Sequence, residues 1–216
     1  MHVGQITAEE YFAIAAISHS SIMAFKRGDG FDPKRLASVK EAMALGSMLD
    51  RVLTEQSDET QSIQSYKMMR AFLDSPVGAT LGANLERKKC GGYLVSYSKP
   101  QVKTQTVYLS EFEDALLKIK MDIEIEGQAF IDLKITTCET DKSFRDNAIK
   151  LGYVHQIAYY MWVSGYTKAY LNGISKHEPH KTFLLVFNWT DQIIQNALNE
   201  HIQVIDQIIN KYKNGR

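Results

Sequence analysis

The sequence predicts a single α/β domain that carries an N-terminal helical region. Three observations predict it: helical patterns fill the first third, β-like runs fill the middle, and the last third alternates helices with strands. This order of elements is typical of a sheet covered by helices. The 216 residues suffice for one domain with a full hydrophobic core. We expect the helical region over about 1–75 and the α/β core over about 90–216.

The composition narrows the classes of function. The chain has 25 basic and 25 acidic residues, which excludes a uniformly basic coat but not a locally basic groove. Its two cysteines, Cys90 and Cys138, cannot form a four-cysteine zinc or iron–sulfur site. No apolar run is long enough to span a membrane, and no secretory signal opens the chain. We therefore expect a cytoplasmic protein without a membrane partner.

The helical region is predicted from caps and periodicity. A capping-box pattern begins at Thr7, and Ser18 or Ser20 is a candidate N-cap for a second helix. A third helix is predicted from Pro33, because apolar residues recur after it at helical spacing. A fourth helix is predicted over about 60–73.

The predicted core begins with β-like runs and ends with helices. The expected strands are 93–97, 101–109, 116–125, 129–137, 168–170 and 183–188. Helices are expected from about 143, over about 151–165, and from about 194 to the C-terminus. The third and fourth strands flank a short turn that contains Gly127, so we predict a β-hairpin there.

The hairpin carries the residues that point to chemistry. If residues 126–128 form its loop, Asp122 lies directly opposite Asp132. Two opposed carboxylates repel each other unless a cation lies between them, and oxygen ligands of this kind suit Mg²⁺ or Mn²⁺. Lys134 shares a strand face with Asp132 and can orient water or stabilise negative charge. The set suits phosphodiester hydrolysis; the alternative is a solvated strand face with a weak ion pair.

The helix predicted over about 151–165 supplies two further candidates. Gln156 and Tyr160 are four residues apart and therefore lie on one ridge of that helix. Either they face the carboxylates, or they are boundary residues of a buried helix.

These residues, taken in order, resemble a known family. Asp122, Asp132-Leu133-Lys134 and Gln156-x-x-x-Tyr160 are similar to motifs of the PD-(D/E)XK nuclease superfamily, and more narrowly of its exodeoxyribonuclease VIII-like and RecB-type group of phage-type exonucleases. Three weaker segments agree with this resemblance, namely Ser18-His19-Ser20, Gly46-x-x-x-Asp50 and Gly152-Tyr153-x-x-Gln156. At Asp50 the sequence departs from the family, which usually has histidine there.

The resemblance implies a fold, an activity and partners. The fold is a restriction-endonuclease-like core, with a central mixed β-sheet flanked by helices. The activity is metal-dependent DNA exonuclease action in phage or bacterial recombination or DNA processing, with Mg²⁺ as cofactor and Mn²⁺ as substitute. The implied partners are DNA, further copies of the chain in a homo-oligomer, and a single-strand annealing protein. The implied location is the cytoplasm of a bacterial or phage-infected host cell.

The resemblance also implies roles for individual residues. The implied metal ligands are Asp50, Asp122, Asp132 and the backbone carbonyl of Leu133. The implied catalytic residues are Asp122, Asp132, Lys134, Gln156 and Tyr160. The implied DNA contacts are Ser18, Ser20, Tyr153, Gln156 and Tyr160. Asp50 follows Gly46 by one helical turn on a partly apolar ridge, and the alternative to metal binding is a surface salt bridge.

Two alternative functions remain open on the sequence alone. A nuclease fold that had lost activity would be a DNA- or protein-binding module, and the same core could carry a structure-specific endonuclease. The complete set of Asp122, Asp132 and Lys134 favours an active enzyme. The remaining histidines, His19 and His201 among them, show no ligand spacing and are expected mostly at surface or boundary positions.

Overall fold

The chain is built around a six-stranded mixed sheet. A computed structural model describes residues 2–5, 8–28, 63–87 and 93–214. The strands are β1 (His2–Gln5), β2 (Ala83–Arg87), β3 (Tyr93–Tyr97), β4 (Val102–Phe112), β5 (Ala115–Ile125), β6 (Ala129–Thr136), β7 (Lys168–Ser175) and β8 (Thr182–Asn188). The large sheet has the order β1-β4-β5-β6-β7-β8, and β2 pairs with β3 in a separate hairpin. Within the large sheet β6 and β7 are parallel, and the other neighbours are antiparallel.

Helices lie on both sides of this sheet. In the described ranges they are α1 (Ala8–Ala13), α2 (His19–Lys26), α3 (Ile63–Leu73), α4 (Pro76–Leu81), α5 (Asp141–Lys150), α6 (Tyr153–Ser164) and α7 (Gln192–Asn214). None of these helices is long and apolar enough to cross a membrane. The predicted cap at Thr7 and the helix predicted from Pro33, with Asp50, fall outside the described residues.

Each face of the sheet has its own hydrophobic core. On one face Phe130 packs with residues of α5, α6 and α7. On the other face Ile123 and Ile131 pack with residues of α3, α4 and the β2–β3 hairpin, such as Phe72. Because successive side chains of a strand point to opposite faces, Asp132 lies on the same face as Phe130, beneath α6.

The register predicted for the hairpin of β5 and β6 is confirmed for the three pairs next to the turn, but the expected pair of Asp122 with Asp132 is not formed, because the ladder ends one pair earlier. Ile123 pairs with Ile131 and Ile125 with Ala129, and Gly127 provides the positive φ of 71° in the turn. The ladder stops at the Ile123–Ile131 pair. Beyond it β6 stays paired with β7 on its other edge through residue 136 but no longer pairs with β5, which leaves an opening in the sheet between β5 and β6.

The N-terminal segment lines this opening at the other end of β5. The Ile17 amide donates to the Leu116 carbonyl at 2.8 Å, and the Lys118 amide donates to the Ile17 carbonyl at 2.8 Å. The Tyr159 hydroxyl on α6 also donates to the Ile17 carbonyl, at 2.7 Å. These bonds fix the residues that lead into α2 beside the separated part of β5.

The crossover from β6 to β7 places α6 above the opening. The crossover helix α5 begins at the N-cap Thr140 and rests on the sheet through Phe144. A Cβ added at Gly173 of β7 would lie 2.5 Å from Phe144 Cε2, so this close approach requires glycine. The helix α6 begins after Gly152 (φ 77°) and ends before Gly165 (φ 80°). These two glycines terminate the helix on either side of the site.

Three elements were not predicted. The N-terminal region expected to be helical contains the strand β1, a short edge strand whose sequence does not alternate. The polar strand β2 was missed for the same reason. Ser75-Pro76 ends α3 as predicted but also begins α4, because the Ser75 hydroxyl accepts a bond from the Gly78 amide at 3.1 Å and Pro76 suits a first helical turn.

Candidate active site

The candidate site lies where β5 and β6 separate. The Leu133 amide, which has no strand partner on the β5 side, donates to Oδ2 of Asp122 at 2.7 Å. A side chain thus takes the place of the missing ladder bond, as buried backbone donors require. This bond holds Asp122 against the residue that follows Asp132.

Asp132 is a buried carboxylate with a distinct partner at each oxygen. It is only 2% exposed. The Gln156 amide on α6 donates to Oδ1 at 3.0 Å, and the ammonium of Lys134 lies 2.6 Å from Oδ2. An isolated buried carboxylate is very unfavourable, so these two side chains are what allow Asp132 to be charged inside the sheet.

Lys134 remains protonated at neutral pH. Burial lowers the pKa of Lys134, but the negative charges of Asp132 and Asp122 and the contact with Asp132 outweigh burial, so the net pKa is raised. Its ammonium also lies 5.1 Å from the centroid of the Tyr153 ring, within the range of a cation–π contact. Lys134 is therefore a fixed cation between a carboxylate and an aromatic ring.

Tyr160 adds a neutral phenol to the same side of α6. Its ring packs against Phe130, with centroids 6.0 Å apart. Burial, followed by the charges of Asp132, Tyr11 and Asp122, raises the pKa of Tyr160 well above its usual value. The phenol is thus available only as a hydrogen-bond donor or neutral acceptor. Gln156 and Tyr160 therefore both lie beside Asp132, which is the first of the two placements left open by the sequence.

The two serines of the N-terminal motif are placed differently from each other. Ser18 is buried and is the N-cap of α2, because its hydroxyl accepts a bond from the Ser21 amide at 3.3 Å. Its Oγ lies 2.9 Å from that of Ser20, which is exposed. Among the described residues no hydrogen bond joins either serine to Asp132 or Lys134.

Glu124 is a buried acid that belongs to none of the sequence motifs. It follows Asp122 by two residues on the same strand face and accepts hydrogen bonds from the hydroxyls of Tyr108 and Tyr166. Burial, followed by these bonds, raises the pKa of both phenols. The three residues come from β4, β5 and the loop that follows α6, so no local spacing signalled the contact.

Three histidines converge beside the site. The expectation of a surface or boundary position holds for His19, which is half-buried, and was wrong for His201. His201 is fully buried, and its Nε2 lies 3.0 Å from Nδ1 of His19. The His155 ring centroid lies 5.3 Å from that of His201. His155 and Lys26 both contact the Glu200 carboxylate, at 2.9 Å and 3.4 Å. These residues come from α2, α6 and α7, so sequence spacing could not reveal them.

The residues at the opening fit a hard divalent cation. The available donors are the carboxylates of Asp122 and Asp132 and the carbonyl of Leu133, all oxygens, which suits Mg²⁺ or Mn²⁺. At Oδ2 of Asp132 the only partner among the described residues is the Lys134 ammonium. Within the described ranges no group of three His, Cys, Asp or Glu forms a metal cluster, and Asp50 lies outside those ranges.

Fold and site together define the class. A mixed sheet with two separated strands that carry Asp and Asp-x-Lys, under a helix that carries Gln and Tyr, is a PD-(D/E)XK nuclease-like architecture. The family model of DUF3799, a PDDEXK-like domain of unknown function, matches residues 12–216. The chain therefore belongs to this family. No curated protein matches it.

Solved structures agree with this fold. A protein from Eubacterium rectale, described as a candidate exonuclease, is 20% identical with a TM-score of 0.65, and the match covers 98% of this chain and 87% of that one. The alkaline exonuclease LHK-Exo from Laribacter hongkongensis is 14% identical with a TM-score of 0.41, covering 96% and 97% of the two chains. A phage-related exonuclease from Haemophilus somnus is also 14% identical, with a TM-score of 0.41 and coverage of 95% and 100%. The first supports the fold, and the other two are too distant to add to it.

Proposed function

We propose that this protein is a metal-dependent deoxyribonuclease that acts as an exonuclease on DNA phosphodiester bonds. One observation carries the proposal: a buried Asp132 is held between Lys134 and Gln156, next to Asp122, at an opening in the sheet. A buried ion pair beside a second acid is costly to build for stability alone, and perturbed groups of this kind cluster at functional sites. Membership of a PDDEXK-like family supports the proposal.

The cofactor that fits is Mg²⁺, with Mn²⁺ as a substitute. Asp122, Asp132 and the Leu133 carbonyl would hold it, and we propose Asp50 as a third carboxylate ligand. When bound, such an ion polarises the phosphate and lowers the pKa of a bound water.

Lys134 acts as a cation in this proposal. Burial is outweighed by the negative charges of Asp132 and Asp122, which raise its pKa, so in the metal-free site it is a protonated hydrogen-bond donor. It can donate hydrogen bonds to the attacking water or to a phosphate oxygen and stabilise the charge that develops there. The contacts with Asp132 and Tyr153 fix the ammonium in place before the substrate arrives, which is what preorganised stabilisation requires.

The residues of α6 orient the site and the DNA end. Gln156 binds Oδ1 of Asp132 and so keeps Oδ2 directed at Lys134. Tyr160 offers a neutral phenol, and the Tyr153 ring offers a surface to the nucleotide beside Lys134. We assign Ser20 as the exposed DNA contact of the N-terminal motif. Ser18 supports that contact by capping α2.

The proposed setting is phage or bacterial recombination or DNA processing in the cytoplasm of a bacterial or phage-infected cell. A homo-oligomer that encloses DNA and a single-strand annealing protein that receives the resected strand are the partners that such an exonuclease would need.

The test is digestion of end-labelled linear DNA and closed circular DNA in Mg²⁺, Mn²⁺ or EDTA. The proposal expects metal-dependent loss of linear DNA only, and no activity from Asp132→Asn, which keeps the size of the side chain but removes its charge. Nicking of circles would identify an endonuclease instead. Binding without cleavage in every metal would identify a DNA-binding module.

A further inference from the structure

The histidine pair of α2 and α7 fixes the protonation of His19. Nδ1 of His19 and Nε2 of His201 are 3.0 Å apart, and the two rings stack with centroids 5.2 Å apart. Two neutral imidazoles at this distance share one proton, which belongs to one ring or the other. Which ring carries this proton decides whether Nε2 on the opposite edge of His19 is a hydrogen-bond donor or an acceptor.

The surroundings of His201 decide between them. Its Nδ1 is buried and has no hydrogen-bond partner among the described residues. A buried N–H without a partner is rarer and more costly than a buried lone pair without one. The proton of His201 is therefore on Nε2, where it is donated to Nδ1 of His19. His19 must then carry its own proton on Nε2, on the ring edge that faces away from His201.

His19 lies near the candidate site, because the charge of Lys134 acts on its imidazole. His19 is the first residue of α2 and directly follows Ser18, in the segment that Ile17 ties to the separated part of β5. It is half-buried, so one edge of the ring reaches the surface. Among the described residues no hydrogen bond occupies its Nε2.

The charges around His19 keep it neutral. Burial, followed by the positive charges of Lys134, His155 and Lys26, lowers the pKa of His19 to about 4. His201 faces the ring from α7. Glu200, also on α7, is bound to His155 and Lys26. A neutral imidazole in a positive environment is a donor suited to an anion.

We propose that His19 is a further substrate contact, whose Nε2–H donates a hydrogen bond to a non-bridging phosphate oxygen of the DNA, and that His201 is the positioning residue that fixes this tautomer. The proposal rests on the proposed function, because the ligand is a phosphate of the DNA substrate. It assigns a role to the residue between the two serines of the N-terminal motif.

The tautomer can be measured without DNA. Two-bond ¹H–¹⁵N correlation spectra of the whole protein at neutral pH report which ring nitrogen of each histidine is protonated. We expect the Nε2–H form for both His19 and His201. In His201→Leu, which cannot donate, His19 should show a mixture of tautomers, whereas His201→Gln, which keeps an N–H at a similar reach, should retain the Nε2–H form. An Nδ1–H form of His19 in the wild-type chain overturns the proposal.

The contact can be located with modified DNA. Affinity is measured in EDTA by fluorescence anisotropy, with short 5′-phosphorylated duplexes that carry one uncharged methylphosphonate at successive positions from the end. One position should weaken wild-type binding by about tenfold, the effect of a lost hydrogen bond to a charged group. In His19→Phe a methylphosphonate at that position should not weaken binding any further. In His19→Gln it should weaken binding by part of the wild-type factor. His177→Phe, at an exposed position, is the matched control.

The pH dependence separates a neutral donor from a cation. The ratio of wild-type to His19→Phe affinity should be constant between about pH 6 and pH 9, since His19 does not titrate there with a pKa of about 4. A ratio that falls as the pH rises shows a charged imidazole and overturns the proposal, as does a methylphosphonate penalty that persists in His19→Phe at every position.

Failure of the proposed function has a different signature. In that case the wild-type chain does not degrade linear DNA in any metal. If it does not bind DNA either, the phosphate contact fails as well; if it binds without cleaving, the methylphosphonate measurement in EDTA still tests His19. If the wild-type chain cleaves linear DNA and His19→Phe binds and cleaves equally well, only the role of His19 is overturned.

Discussion

The buried histidine pair should make the protein less stable in mild acid. Burial, followed by the charges of His19, His155 and Lys26, lowers the pKa of His201 from 6.5 to about 3. His201 therefore becomes protonated below about pH 6.5 in the unfolded chain but stays neutral in the folded chain. The free energy of unfolding falls as the pH falls from 6.5 toward 3. Each pH unit in this window is worth about 1.4 kcal/mol per group, so His201 alone removes about 2 kcal/mol between pH 6.5 and about pH 5. His19 adds a smaller share because it is half-exposed.

Urea unfolding followed by circular dichroism measures this loss at a series of pH values. His201→Gln removes the titrating group but keeps a donor to His19, so its loss between pH 6.5 and about pH 5 should be smaller than that of the wild-type chain by about 2 kcal/mol. His177→Gln removes an exposed imidazole and should leave the difference unchanged. If the wild-type chain is equally stable at both pH values, or if His201→Gln keeps the whole loss, His201 is not a buried neutral base.

Three further predictions concern the site and the sheet. Lys134→Gln should lower the cleavage rate about 100- to 1,000-fold and leave DNA affinity nearly unchanged, because a donor to Asp132 remains while the positive charge is lost. Single-turnover digestion measures the rate, and fluorescence anisotropy measures the affinity. Asp50→Ala should weaken both Mg²⁺ binding, measured by calorimetry, and cleavage, while Asp50→His should restore part of each; full activity of Asp50→Ala at low Mg²⁺ would remove Asp50 from the ligand set. Gly173→Ala should lower the free energy of unfolding by about 1–3 kcal/mol, because the new Cβ would lie 2.5 Å from Phe144 Cε2; an unchanged urea midpoint would show that α5 can move aside.

The core of the fold could be predicted because its signals are local. The hairpin turn at Gly127 fixed the register of β5 and β6, and that register alone put Asp122 and Asp132 on neighbouring strands. The i, i+4 spacing placed Gln156 and Tyr160 on one ridge. Each of these inferences used residues close together in the chain, where backbone geometry leaves few choices.

The features that were missed depend on long-range packing. Nothing in the residues of β5 and β6 indicates that their ladder ends at the Ile123–Ile131 pair, because both continue as strands. The separated part of β5 instead bonds to the N-terminal segment at Ile17. The contact between His19 and His201 joins residues 182 positions apart, brought together by the packing of α2 on α7. A single sequence carries no pattern for such contacts.

The bond from the Leu133 amide to Asp122 bears on how activity could be lost in evolution. Asp122 serves the sheet as a substitute backbone acceptor, so selection for folding alone would preserve an acid there. Asp132 and Lys134 stabilise one another in a buried pair, and losing one partner is far worse than exchanging both for apolar residues. A relative that had become a pure binding protein would therefore keep its counterpart of Asp122 and lose the other two together. If the proposed function holds, the joint presence of Asp132 and Lys134 is a better marker of nuclease activity than Asp122 alone.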